Sequence, residues 1–167
     1  VGSILNSAGT DYSVGKWHKI LSQIQDIAMR TEHKIPVLYG IDAIHGVTYT
    51  KGSTLFPHNI GLAATRNPSL SREIGAVTAK ETRASGIRWN FDPVLDVGRN
   101  PLWPRFCETF GEDPFLVSTL GAELIKGYEQ DGLSNPTAVS SCMKHFIGYS
   151  DPKSGKDRTE AYISDIT

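Results

Sequence analysis

Ser141-Cys142-Met143-Lys144-His145-Phe146-Ile147-Gly148 is a short apolar run with a cation and an imidazole side by side near its end. Lysine is almost never fully buried unless it is paired. Either the strand has ended here and both side chains reach water, or it delivers two hydrogen-bond donors into a cleft. The eight residues alone leave both readings open. What precedes them in the chain decides.

Working back from that stretch, Ala138 to Phe146 reads as the fourth strand of an alternating pattern. Val1 to Ser7 is the first strand, stopped by Ala8-Gly9. A helix follows from about Ser13, its N-cap, to Arg30. Val14, Trp17, Ile20, Leu21, Ile24, Ile27 and Ala28 recur at three- and four-residue spacing and draw one apolar stripe. Ile35 to Ile41 is the second strand, with Pro36 near its start and Asp42 directly after it. An irregular stretch then reaches Pro57. Asn67-Pro68 opens a helix whose buried face is Leu70, Ile74 and Val77 and which ends at Gly86. Ile87 to Val94 is the third strand, with Asp92-Pro93 near its end, and a loop rich in Gly, Pro and Arg spans Asp96 to Asp113. Asp113-Pro114 repeats the N-cap and N1 device. Its helix carries Val117, Leu120, Leu124, Ile125 and Tyr128 on one face and stops at Gly132. The tail from Tyr149 to Thr167 is mostly polar.

This alternation predicts an α/β fold, with right-handed crossovers and parallel strands near residues 1–7, 36–41, 88–94 and 138–146 in the order 1-2-3-4. A closed eight-stranded barrel needs about 250 residues. Four strands in 167 residues therefore read as the first half of a (β/α)8 barrel, one partial domain over 1–167. A doubly wound open sheet is the competing fold, and it would place a later strand on the far side of strand one.

Composition narrows the function. At 39% hydrophobic, 21% charged and a net charge of -1, nothing points to nucleic acid or an anionic membrane surface. No apolar run approaches a membrane span. No signal peptide is read, and a chain beginning at Val1 is expected to have its natural start elsewhere. Cys107 and Cys142 could be a pair or two free thiols.

The polar residues cluster. Asp42 follows strand two, Asp92 and Asp96 close strand three, and Lys144 and His145 close strand four. In parallel α/β folds the C-terminal strand ends are where ligands bind. One Asp after a strand is commonly an Asx-turn, but three consecutive strands set charges on one face. Arg99 and Arg105 flank Asn100-Pro101-Leu102-Trp103-Pro104, a loop stiffened by two prolines that should present Trp103 and the Arg105 guanidinium. Arg, Lys, His and Asp suit a polyhydroxylated ligand. Trp103 by itself fits loop packing better than a stacking platform. No phosphate loop and no Gly-x-Ser-x-Gly elbow occurs. His45, His58 and His145 share no element, and a metal site of Asp42, His45 and His145 is a lesser alternative.

These residues resemble, in order and over nearly the whole chain, the N-terminal barrel domain of family 3 glycoside hydrolases of the β-glucosidase and exo-β-glucanase type. The matching pieces are Tyr39-Gly40-Ile41-Asp42-Ala43-Ile44-His45-Gly46, Thr54 to Thr65, Asn90-Phe91-Asp92-Pro93-Val94-Leu95-Asp96-Val97 and Arg99 to Arg105. They continue with Glu108-Thr109-Phe110-Gly111-Glu112-Asp113-Pro114, Lys144-His145-Phe146 and Asp157-Arg158-Thr159.

The resemblance implies a subsite for one terminal sugar of a β-linked oligosaccharide or polysaccharide. Asp42, Arg105, Lys144 and His145 would bind it, and Asp92, Asp96 and Trp103 would support them from behind. It implies a retaining mechanism with a carboxylate nucleophile and a carboxyl acid/base. Neither position is matched within this chain, which would then be inactive alone and would need the remainder of its own polypeptide. No cofactor or metal is implied. A periplasmic or extracellular location is implied by resemblance only. A cis peptide at Lys144–His145, and another after Phe146, is also implied. Leu102 and Pro104 stand where the family usually has Arg and Gly. No Asp-x-His dyad follows Lys144-His145-Phe146, which sides the chain with the glucosidase branch. A non-catalytic sugar-binding module and a metal-dependent hydrolase on a similar barrel are the alternatives.

Overall fold

Two helices begin where a polar residue precedes a proline. In the computed structural model, which describes residues 1–7 and 9–164, the Asn67 side chain accepts from Leu70 N and that of Asp113 from Phe115 N. Each cap occupies one N–H that the helix itself cannot satisfy, and the proline after it has no N–H to leave unpaired. The helices they open are α3 (Pro68–Ala84) and α4 (Pro114–Glu129). Before them come α1 (Val14–Ala28), capped by Ser13, and a short α2 (Asn59–Ala64). The strands are β1 (Ser3–Leu5), β2 (Leu38–Ile41) and β3 (Trp89–Asn90).

The sheet is parallel and sequential, β1-β2-β3, with Ile4 opposite Tyr39 and Ile41 opposite Asn90. No later strand lies on the far side of β1 among the described residues, so the doubly wound alternative falls. The strands are shorter than expected, for local reasons. Asn6 turns to φ 53 and ends β1 there. Asparagine tolerates that left-handed conformation better than most residues. Ala8, expected to help stop this strand, lies outside the described residues, as do 165–167.

The fourth strand is a correction. Residues 138–146 run parallel beside β3, but only as isolated bridges, Trp89 with Ser140 and Val94 with Lys144. Cys142 N donates to Asp92 O at 3.0 Å, Lys144 N to Pro93 O at 3.0 Å, and Leu95 N to Lys144 O at 2.8 Å. Pro93 has no N–H to return, so a continuous ladder cannot form.

Helix faces also differ from expectation. On α1, Trp17, Leu21 and Ala28 are buried while Val14 and Ile27 are exposed. On α3 the buried residues are small, Ser71, Gly75, Thr78, Ala79 and Thr82, and Val77 is exposed. The reason is the close approach of α4. A Cβ on Gly75 would lie 2.6 Å from Leu124 O. Leu120, Leu124, Tyr128 and Val139 complete the apolar cluster around this contact. A second cluster forms under α1, where Trp17 meets Tyr12 and Tyr39 edge-on at 5.2 and 5.8 Å and its Nε1 donates to Tyr49 O.

Candidate functional site

Two asparagines grip the chain as it leaves β2. From the end of β1, Asn6 Nδ2 donates to Asp42 Oδ2 at 2.6 Å and its Oδ1 accepts from Asp42 N at 2.8 Å. From β3, Asn90 Oδ1 accepts from Ala43 N at 2.8 Å and its Nδ2 donates to Ala43 O at 3.2 Å. These contacts fix the direction of the Asp42 carboxylate. Across the site Lys144 Nζ donates to its other oxygen, Oδ1, at 2.5 Å. Both side chains keep some exposure, 31% for Asp42 and 14% for Lys144.

His145 is held from behind. Asp96 Oδ2 accepts from His145 N at 2.9 Å and from Nδ1 at 2.8 Å. A carboxylate only accepts, so Nδ1 carries the proton and Nε2 is the ring nitrogen left for other partners. The Lys144–His145 and Phe146–Ile147 peptide bonds are both cis, and so is Asp92–Pro93.

Arg105 sits on the loop after β3, just before the 3-10 turn Phe106–Glu108. Its Nε and Nη2 donate to both oxygens of Glu108, at 2.9 and 2.7 Å. That fork-to-fork pairing raises the guanidinium pKa further and sets its plane. The guanidinium lies 5.7 Å from the Tyr149 ring centre, and the His145 ring lies 4.8 Å from the same ring.

Lys144 and Asp42 are therefore in direct contact, whereas Arg105 and His145 meet through Tyr149. A cavity of about 350 Å³ beside the fourth strand is lined by Asp96, Lys144 and His145 but not by Asp42 or Arg105. Trp103 is not presented by its loop. It is 1% exposed, and its Nε1 donates to Asp157 Oδ1 at 3.1 Å. Asp92 is 0% exposed and cannot touch a ligand. Its Oδ2 accepts from the Tyr128 hydroxyl of α4 at 2.5 Å. Asn6, Glu108, Tyr149 and Asp157 are not among the site residues read from the sequence. Glu108 and Asp157 lie in stretches that carry the family resemblance, but nothing local marks any of the four as a partner of a site residue, because each reaches that partner through the fold or a turn. The metal alternative loses its geometry: His45 stacks on His58 at 4.1 Å and contacts Phe56 O, while Asp42 and His145 have the separate partners above. Both cysteines are free, Cys107 exposed and Cys142 partly so.

Burial pushes the Asp92 carboxyl up to about 7, against the opposing pull of the Tyr128 hydroxyl and the Lys144 charge. An unfolded Asp ionises near pH ~4. Between these values the unfolded chain has lost the proton and the folded chain keeps it. Stability should therefore fall as pH rises from about 4 to 7, by up to about 1.4 kcal/mol per unit from this group, and level off above. Asp92→Asn, a neutral isostere, should flatten that slope. Urea midpoints at three pH values across the window check it, and an unchanged slope would count against the buried proton.

The chain matches the model of the glycosyl hydrolase family 3 N-terminal domain over residues 1–165. It is 44% identical over 177 aligned residues to a lysosomal beta glucosidase of Dictyostelium discoideum, covering 98% of this chain and 22% of that protein. It is 33% identical to a periplasmic beta-glucosidase of Salmonella typhimurium, covering 82% of this chain and 17% of that one. The crystal structure of an exo-1,3/1,4-beta-glucanase from a Pseudoalteromonas species superposes with a TM-score of 0.89 at 35% identity, over 99% of this chain and 22% of that enzyme. The chain thus spans about a fifth of the length of these relatives. Among the described residues no helix is long and apolar enough to cross a membrane.

Proposed function

This chain belongs to glycosyl hydrolase family 3, and on that premise we propose that it supplies the glycone-binding half of a retaining, exo-acting β-glycosidase. The substrate is a terminal β-linked glucose or similar sugar on an oligo- or polysaccharide. Asp42 accepts hydrogen bonds from sugar hydroxyls; Arg105, Lys144 and His145 donate to or share others. The observation that supports this most is the Lys144–Asp42 contact at 2.5 Å, which sets a cation and a carboxylate side by side at strand ends, still partly exposed. Such a pair can exchange one mutual hydrogen bond for several to adjacent hydroxyls, and charged partners make these stronger than neutral ones.

The nucleophile and the acid/base of the retaining route belong to positions that this sequence does not match, so the remainder of the polypeptide is the partner that completes the enzyme. A secreted or lumenal setting is proposed from the periplasmic and lysosomal relatives.

Two measurements test the reading on the 167-residue chain. Titration with D-glucose should move the amide resonances of Lys144 and His145. An aryl β-glucoside should show no hydrolysis above a buffer control. Retaining turnover would mean that a carboxylate here has been assigned the wrong role, and a glucose titration without response at either residue would remove the glycone site.

A further inference from the structure

We infer that Tyr149 is the positioning residue that holds Arg105 and His145 in one arrangement, and that Asp157 locks it there. The inference rests on the glycone-site reading above and adds what fixes two of its four ligands. Arg105 and His145 come from different places, the loop after β3 and the end of the fourth strand. Among the described residues no hydrogen bond joins them. Tyr149 fills the space between. Its ring meets the Arg105 guanidinium at 5.7 Å and stands edge-on to the His145 ring at 4.8 Å and 69°. On a further side Trp103 meets it at 5.1 Å and 77°. With these three neighbours around it the ring serves the protein rather than stacking on a sugar.

The ring cannot swing away. The Tyr149 hydroxyl donates to Asp157 Oδ1, the same oxygen that accepts from Trp103 Nε1 at 3.1 Å. These donors hold the Asp157 carboxyl below the usual carboxylate range, the tyrosine first. The chain just after Tyr149 is tied down as well. Ser150 Oγ donates to Val97 O at 2.7 Å, and Asn100 Nδ2 to Pro152 O at 3.4 Å. The tail thus carries Tyr149 onto the Arg105 loop and holds the segment that follows it there. A cation over a ring and an edge-on ring pair each confine a side chain without consuming its remaining hydrogen-bond donors. Arg105 and His145 stay oriented and still able to bind.

The test is a D-glucose titration of the 167-residue chain, read together with the ring resonances of His145. Tyr149→Leu should shift those resonances, because the aromatic ring current is gone, and weaken glucose binding by about tenfold. Tyr149→Phe keeps the ring but loses the hydroxyl that Asp157 holds, and should recover only part of both. If Tyr149→Leu binds glucose as the parent does, the inference is overturned with the site intact. A Tyr149→Phe variant as weak as Tyr149→Leu overturns it too. If the parent itself binds no glucose, the glycone reading fails separately, and unmoved His145 resonances in Tyr149→Leu would still refute the positioning role. Should Tyr149→Leu fail to fold, Asp157→Ala leaves every ring in place and removes the lock. His145 resonances and glucose affinity should then change together, and a change in neither overturns the proposal.

Discussion

Asp42→Asn is expected to reduce D-glucose affinity by about 100-fold, leaving no measurable binding to the isolated chain. Asparagine keeps the shape of the side chain, but its single oxygen can accept from Asn6 or from Lys144 and not from both, and it loses the charge. Hydrogen bonds to a charged group contribute about 1.5–3 kcal/mol each. Losing that enhancement over two sugar hydroxyls amounts to about 3 kcal/mol, or two orders of magnitude. The loss falls also on Lys144, whose ammonium at 14% exposure is left without a full counter-charge. A calorimetric or NMR titration reads the result, with the urea midpoint as a control for folding. Affinity within threefold of the parent would show that Asp42 does not face the sugar.

Gly127→Ala is expected to be among the most destabilising single changes in the chain, although alanine is the better helix former by about 1 kcal/mol. The new Cβ would overlap Arg72 O and would lie 2.9 Å from both Ala76 N and Gly75 Cα. All three are backbone atoms, and no rotamer change relieves such a clash. The α3–α4 pair would have to separate, loosening Leu120, Leu124 and Tyr128 in the cluster they share. Overpacking of this kind costs about 1–3 kcal/mol, and more where backbone must move. For a chain of this size that lowers the midpoint of thermal unfolding by about 5–10 °C. A midpoint unchanged within about 2 °C would mean that the two helices do not pack backbone against backbone.

Helix starts are readable because two adjacent residues encode each of them. Asn67-Pro68 and Asp113-Pro114 state a cap and a first-turn residue with no help from the rest of the molecule. The short α2 escapes for the converse reason: His58 makes no side-chain cap bond, and six residues show no periodicity. The fourth strand reads as too regular, because its apolar run says nothing of Pro93 across the ladder. Asp42, Lys144, His145 and Asp96 are legible as a group since strand ends gather polar residues on one face. Their partners are not. Asn6 reaches Asp42 across 36 positions, and Tyr149 reaches Asp157 along a tail without periodic pattern. Val77 shows the limit of counting apolar spacing. It fits the stripe of α3, yet the face that packs is the one with the smallest side chains, because backbone proximity rather than side-chain size decides that contact.

The Lys144–Asp42 contact joins residues 102 positions apart, whereas each strand of the sheet pairs only with its neighbours in sequence. The two kinds of pairing set an order of assembly. Short-span pairing closes small loops and is entropically cheap; a contact across most of the chain waits until the intervening units are in place. As the chain emerges from synthesis, the sheet can grow one strand and helix at a time while the site stays unmade. Lys144 arrives last and finds Asp42 already oriented by Asn6. On the glycone-site reading, the site is therefore completed only when Lys144 joins Asp42, after the sheet is in place.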